Sequence, residues 1–289
     1  MQQNLFIPRT ILALLLVLTA CKKGPDNWGP DCGPCAPVPG CQPQQKLIYL
    51  YYDGAYHPQS FPKIKKTFAA NGTVNYLEIS LPPFAPTGGE EHSLEVKYTG
   101  NRVYLFNSAT HDTVLTARLD ACGRATWSDH LARDGNRSET KYFYNAQGRL
   151  SRTTYEPIYG FANLRYVYDK YGNLIKYYYE EDPANNMEFT YDYSRPIKGA
   201  SYDFDSNLPM QGMILLAALG HIDFPAHHLL RSIRDNGEYP YDHREYSNQV
   251  INSDGYVTSY DYTYYYPDNH ARNVTTWRCG KSGGGYPKY

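Results

Sequence analysis

What the 289-residue chain lacks narrows it first. Positive charge is not in surplus, with 28 Lys and Arg against 29 Asp and Glu and a net charge of −1. A basic face for nucleic acid is therefore not expected. No H-E-x-x-H, P-loop or dinucleotide fingerprint occurs, so no cofactor is expected. The apolar run Ile11 to Leu18 is too short to cross a membrane as a helix. Phenylalanine is scarce, 10 against 31 tyrosines. That imbalance favours half-buried β positions, where a phenol ring packs while its hydroxyl stays wet.

The N-terminus reads as a targeting segment. Arg9 supplies a positive start, Ile11 to Leu18 is an apolar core, and Leu18-Thr19-Ala20-Cys21 follows. That tetrapeptide resembles the lipobox of bacterial lipoproteins. The resemblance implies cleavage behind Ala20 and a diacylglycerol thioether on Cys21, which anchors the chain to the membrane. An ordinary signal peptide with a chance cysteine is the alternative. Lys22 stands where the inner-membrane retention signal has Asp, which implies delivery to the outer membrane, with the periplasmic or surface face left open. Residues 1–20 are thus expected to be a signal peptide and 21–46 a tether. Residues 47–280 form one β-rich domain, and 281–289, with three consecutive glycines, form a loose tail.

The tether is rich in Pro and Gly and cannot bury a core. It holds Cys32-Gly33-Pro34-Cys35, the string of thioredoxin-type enzymes, but Pro37 and Pro39 forbid the helix that would activate the first thiol. Cys32, Cys35 and Cys41 lack a nearby fourth ligand for zinc. Once Cys21 is lipidated, Cys122 and Cys279 are expected to pair, clamping the last strand to the sheet in an oxidising compartment.

From Lys46 onward, period-two alternation dominates, as in Val74 to Leu81, Leu94 to Tyr98 and Val103 to Phe106. One phrase repeats through the chain, most plainly as Y-N-A-Q-G-R-L at Tyr144 to Leu150 and Y-D-K-Y-G-N-L at Tyr168 to Leu174. The Asx-x-x-Gly turn stands at Asp120/Gly123, Asn145/Gly148, Asp169/Gly172 and Asn252/Gly255, with a degenerate copy at Asp192/Arg195. Each predicts a hairpin turn in which the Asx side chain caps the loop and the glycine takes positive φ. Asn145, Gly148, Asp169 and Gly172 are read as geometry and not as chemistry. The strings resemble the YD repeats of RHS-type proteins. The layout is similar to Bacteroidota lipoproteins of unknown function that carry a few degenerate YD-like hairpins. The resemblance implies an antiparallel meander of hairpins, without the toxin-enclosing shell of the longer RHS proteins.

Alternation puts Tyr142 and Tyr144 on one face with Phe143 opposite, and Tyr166 and Tyr168 on one face with Val167 opposite. These tyrosines read either as cross-strand ladders or as a ligand platform. Met210 to Leu219 predicts a short helix, about 208–220, apolar all round and therefore buried. His221, His227 and His228 behind it read as loop residues, since Pro225 breaks any metal-binding spacing. Asp112-Thr113-Val114 resembles a Bacteroidota O-glycosylation sequon.

The sequence therefore predicts a mostly β fold and a non-catalytic, membrane-anchored envelope lipoprotein. Its tyrosine-rich surface is structural or binds a glycan, peptide or protein. The rival expectation is a hydrolase of polysaccharide or peptidoglycan, which needs facing carboxylates in a cleft. Glu90-Glu91 and Glu180-Glu181-Asp182 read instead as solvated loop residues.

Overall fold

The computed structural model describes residues 41–52, 55–70, 72–80, 91–131, 135–155, 163–200, 202, 211–237, 243–264 and 266–279. The expectations for Cys21, Cys32, Cys35, the signal peptide and the tail lie outside these residues, as does the loop carrying Glu90.

The first eight strands are β1 (Cys41–Tyr52), β2 (Ala55–Phe68), β3 (Val74–Ser80), β4 (Glu91–Thr99), β5 (Arg102–Asn107), β6 (Thr113–Leu119), β7 (Ala125–Leu131) and β8 (Arg137–Tyr144). The rest are β9 (Leu150–Tyr155), β10 (Asn163–Tyr168), β11 (Leu174–Tyr179), β12 (Asn186–Pro196), β13 (His228–Asp235), β14 (Arg244–Ile251), β15 (Val257–Tyr264) and β16 (Tyr266–Cys279). Each pairs antiparallel with its sequence neighbours, and β1 pairs with β16, so the meander closes into a barrel. Closure leaves no unpaired edge to template aggregation.

β1 begins at Cys41, inside the stretch read from sequence as tether. Proline composition argued against a strand there. The chain extends nonetheless because β16 pairs with it from Cys41 and β2 from Gln45, and the register shift between Pro43 and Gln45 accommodates the missing N–H.

Because all pairings are antiparallel, hairpin turns alternate between the two ends of the barrel. One end holds the start of β1, the finish of β16 and the Asx turns; it is called the terminal end below. The Asx turns share one geometry. Asn145 Oδ1 accepts from the N–H groups of Gln147 and Arg149 at 3.0 Å each, and Gly148 N donates to Asn145 O at 2.9 Å. Gly148 has φ 77° and Gly172 φ 95°, a region costly for any residue with a Cβ. Asp120 repeats the pattern with Gly123, and Asn252 repeats it with Gly255.

Gly255 has a further partner beyond its own turn. It takes the expected φ of 90°, and its N–H donates to Asn252 O at 3.0 Å. Its carbonyl, however, accepts from Lys198 N at 2.8 Å, and Tyr256 beside it forms a parallel bridge with Gly199. The late turn is therefore a docking point for the chain that leaves β12, and not a free hairpin tip. An added Cβ on Gly255 would stand 3.1 Å from Lys198 Cγ. The turn is local, but the residue that docks on it, Lys198, lies more than 50 residues away.

The degenerate copy is different again. Asp192 lies within β12, and its Oδ1 accepts from Ser194 N and Oγ at a register shift. Arg195 in place of glycine cannot readily take the positive φ that would turn the chain. β12 therefore runs on to Pro196, and the chain reaches β13 through the long connection 197–227.

That connection carries α1 (Gln211–Leu219), whose Met213, Ile214, Leu215, Leu216, Ala218 and Leu219 are buried. Gly220, at φ 85°, ends it: Gly220 N bonds Ala217 O and His221 N bonds Leu216 O. A helix with no polar face is soluble only if surrounded. It sits inside the barrel, with Gly212 against His130 and Leu115 and the Tyr166 hydroxyl 3.8 Å from Met213 Sδ. Ile222, Phe224 and Ala226 continue the filling.

The two sides of the barrel differ. Most inward positions are apolar or aromatic, as in Val103 and Leu105, Leu115 and Ala117, Leu164 and Tyr166, and Met187, Phe189 and Tyr191, with buried polar exceptions such as Lys66, Ser128 and Thr153. Outward positions carry cross-strand ion pairs: Lys65 with Glu78 at 3.2 Å, Arg137 with Asp129 at 2.6 Å, Lys176 with Glu188 at 3.3 Å. Outward aromatics lie under cations, Trp127 beneath Arg118 at 5.1 Å and Phe143 beneath Arg152 at 5.8 Å, each pair directly opposite in register.

Candidate functional site

The Tyr142, Tyr144, Tyr166 and Tyr168 set lies on the inward side, with Phe143 and Val167 outward as alternation predicted. Tyr142, Tyr144 and Tyr166 are buried. Tyr142 OH bonds Ser128 Oγ at 2.8 Å, Tyr144 OH donates to Ala125 O at 2.8 Å, and Tyr166 OH meets Thr153 Oγ1 at 3.3 Å. Burial pushes the phenols of all four well above the usual range. These rings pack the interior and present no surface to the outside. Leu150 and Leu174, equivalent in the repeat, are both buried beside them.

The histidines stitch the plug to the turns. His221 is buried, and its Nδ1 donates to Gly123 O at 2.7 Å, because a carbonyl can only accept. Its Nε2 is thereby left to accept from Tyr98 OH at 3.3 Å. Burial, helped by the charge of Lys66, lowers its pKa to about 4 against the opposing Gly123 bond. Asn173, fully buried, binds Asp169 Oδ2 at 2.8 Å and His228 Nδ1 at 3.1 Å, and accepts from His227 N at 2.7 Å. The signal for this role was in the repeat itself: Asn173 stands where the preceding copies have Arg124 and Arg149.

Lys66 is a buried cation pointing inward from β2, with no hydrogen bond or ion pair among the described residues. Burial lowers it to about 8. Sequence reasoning missed it because an alternating strand gives no sign that one inward position is charged.

The exposed aromatics are elsewhere. Tyr171 and Tyr193 are each 48% exposed at the terminal end, their ring centres 5.5 Å apart and 5.0 and 5.2 Å from His228. Tyr193 OH donates to Asp169 Oδ2 at 2.9 Å.

At the opposite end, Glu180 accepts from both Arg152 and Arg165, so this carboxylate balances neighbouring cations. Among the described residues no group of three or more His, Cys, Asp and Glu is placed to hold a metal ion. Cys122 is disulfide-bonded; the side chains of Cys41 and Cys279 are outside the description. The backbone sets Cys41 directly opposite Cys279, at the same end of the barrel as the Cys122 turn.

The fold and its packing define a closed antiparallel β-barrel with a filled interior and a charged exterior. No protein-family model matches the chain, and no curated protein does. Among solved structures, it is similar to a porin-like protein from Bacteroides uniformis, with a TM-score of 0.59 at 14% identity, covering 82% of this chain and 98% of that one. A porin-like protein from Bacteroides vulgatus matches with a TM-score of 0.48 at 12% identity, covering 82% of this chain and 99% of that one. The first likeness shows the barrel fold.

Proposed function

We propose that this chain is a non-catalytic, lipid-anchored envelope protein whose barrel stands in water beside the membrane. The observation that carries the reading is sidedness. A barrel that spans a bilayer needs an apolar outer band, and its interior is polar. Here the polarity is inverted, and a charge such as Lys176 or Arg165 facing acyl chains at mid-depth costs about 2–4 kcal/mol each. The interior is occupied by α1 and tyrosines, so the barrel is a packed core. Cys21 supplies the anchor in this reading, and the exposed rings at the terminal end are where a ligand would find aromatic surface.

The test is fatty-acid labelling and fractionation of cells expressing the wild type and Cys21→Ala. The wild type should take up labelled fatty acid and be cut behind Ala20, while the variant should show neither. A Cys21→Ala protein that is processed and localised like the wild type would sink the reading. So would single-channel conductance of the purified protein in planar bilayers.

A further inference from the structure

The charges of the barrel are sorted by end. At the terminal end, the exposed side chains Arg102, Arg118, Lys170, Arg195, Lys198 and Arg278 are cationic. The acids there are largely spent. Asp120 pairs with Arg124 at 2.6 Å, and Asp169 accepts three backbone N–H groups together with Asn173 and Tyr193. Asp254 is the exposed exception among the described turns. At the opposite end the order reverses. Asp112, Glu139, Glu181 and Glu245 are exposed there and Glu180, Asp182 and Asp235 partly so, against exposed Arg137 and Arg234 and partly exposed Arg152 and Arg165. Among the described residues the two rims thus differ in charge, since antiparallel topology carries residues flanking alternate turns to the same rim.

We infer that the terminal end is a docking face for an anionic lipid surface. Charge complementarity is the first argument, because juxtamembrane Lys and Arg are drawn to anionic headgroups within about a Debye length. The second is where the described chain begins: β1 starts at Cys41 on this rim, so an anchor upstream of it is joined to the barrel here. The third is aromatic. Tyr171 and Tyr193 form a half-exposed pair on the same rim, with Lys170 Nζ 4.9 Å from the Tyr171 ring centre. Amphipathic rings beside cations suit the headgroup layer, where one side is apolar and the other wet.

The docking contact is separate from the lipid anchor and is tested without it. The mature chain from residue 21 carrying Cys21→Ser, which contains the entire barrel, is sedimented with vesicles of phosphatidylcholine alone or with phosphatidylglycerol added. Binding is expected only to the anionic vesicles, and is lost at high salt. Arg102→Glu/Lys198→Glu should weaken it by at least about tenfold, given the per-charge attraction of such surfaces. Arg137→Glu/Arg234→Glu, the same charge change at the acidic end, should leave it within about twofold. Circular dichroism confirms that both variants fold. Absence of anionic-vesicle binding, or equal loss in the two variants, overturns the inference. Neither outcome bears on lipidation, which the Cys21→Ala labelling reads independently.

Discussion

Arg124 reaches forward one repeat to Tyr144: its guanidinium carbon lies 4.4 Å from the ring centre, and Nη1 donates to Gly148 O at 3.0 Å. Asp120 holds the same guanidinium through Nε at 2.7 Å. The next repeat copies the contact, with Arg149 5.7 Å from the Tyr168 ring centre. The arginine that follows Gly123 and Gly148 thus reaches onto the tyrosine of the next repeat. Arg124→Ala should destabilise the barrel by about 1–3 kcal/mol in urea unfolding, and Arg124→Lys should recover little of it, because an ammonium cannot stack and fork at once. A loss below about 0.5 kcal/mol, the level of an ordinary surface change, would make the contact incidental.

Gly172 is constrained twice. Its φ of 95° disfavours any Cβ, and an added Cβ would stand 2.3 Å from Arg149 Nη2. The guanidinium is the far end of a flexible side chain and can move, but only by leaving Tyr168. Gly172→Ala is expected to cost about 1–2 kcal/mol. Gly100→Ala, at φ 57° with open space around it, should cost less. If the two are equal by denaturant unfolding, the Arg149 contact contributes nothing.

Lys66→Met removes a buried charge that nothing described offsets. Its folded-state pKa, lowered to about 8, means the folded protein disfavours the charged form. The penalty is full at pH 7, shrinks as pH rises through 8, and vanishes above the unfolded value near 10.5. The variant should therefore be more stable than the wild type at pH 7, by about 1–3 kcal/mol. The difference should close toward pH 10. A destabilised variant at pH 7 would show that the amine has a partner.

His221 gives a slope of the same sign in a lower pH window, because there too the unfolded state binds the extra proton. With its pKa lowered from 6.5 to about 4, it contributes stability that is present above the unfolded value and lost as pH falls through the folded one. His221→Gln, which keeps a side-chain donor, should flatten the acid limb of the stability curve between those values. An unchanged acid limb would refute the assignment.

Peptide mapping under non-reducing conditions should find Cys122 joined to Cys279, the clamp expected from sequence. A Cys41–Cys279 crosslink would instead fasten the barrel seam and send Cys122 to another cysteine.

Much of this was legible from local chemistry. The Asx and glycine positions of the turns, the face shared by Tyr142 and Tyr144, the buried helix and its glycine stop all follow from rules spanning a few residues. Each rests on φ preference, side-chain capping or period-two geometry, which neighbours in sequence decide. The sequence also carried the contrast between Gly123, Gly148 or Gly172 and Arg195, which is why one repeat fails to turn. Gly255 marks the edge of that legibility. Its positive φ was readable from Asn252, but the bond its carbonyl accepts from Lys198 was not, since nothing near Gly255 in sequence points to residue 198.

The tertiary structure decided what two faces and two ends would mean. Alternation says that Phe143 opposes Tyr142, but not which one sees water; that depends on the closure of β1 on β16, residues more than 200 positions apart. Closure turned Tyr144 and Tyr168 from a prospective surface into a core, and wrapped them around α1. It also gathered Arg102, Lys198 and Arg278, scattered along the chain, onto a single rim. Local rules cannot supply that, because the free energy of closing the sheet lies in pairings between distant strands and in the interior they jointly fill.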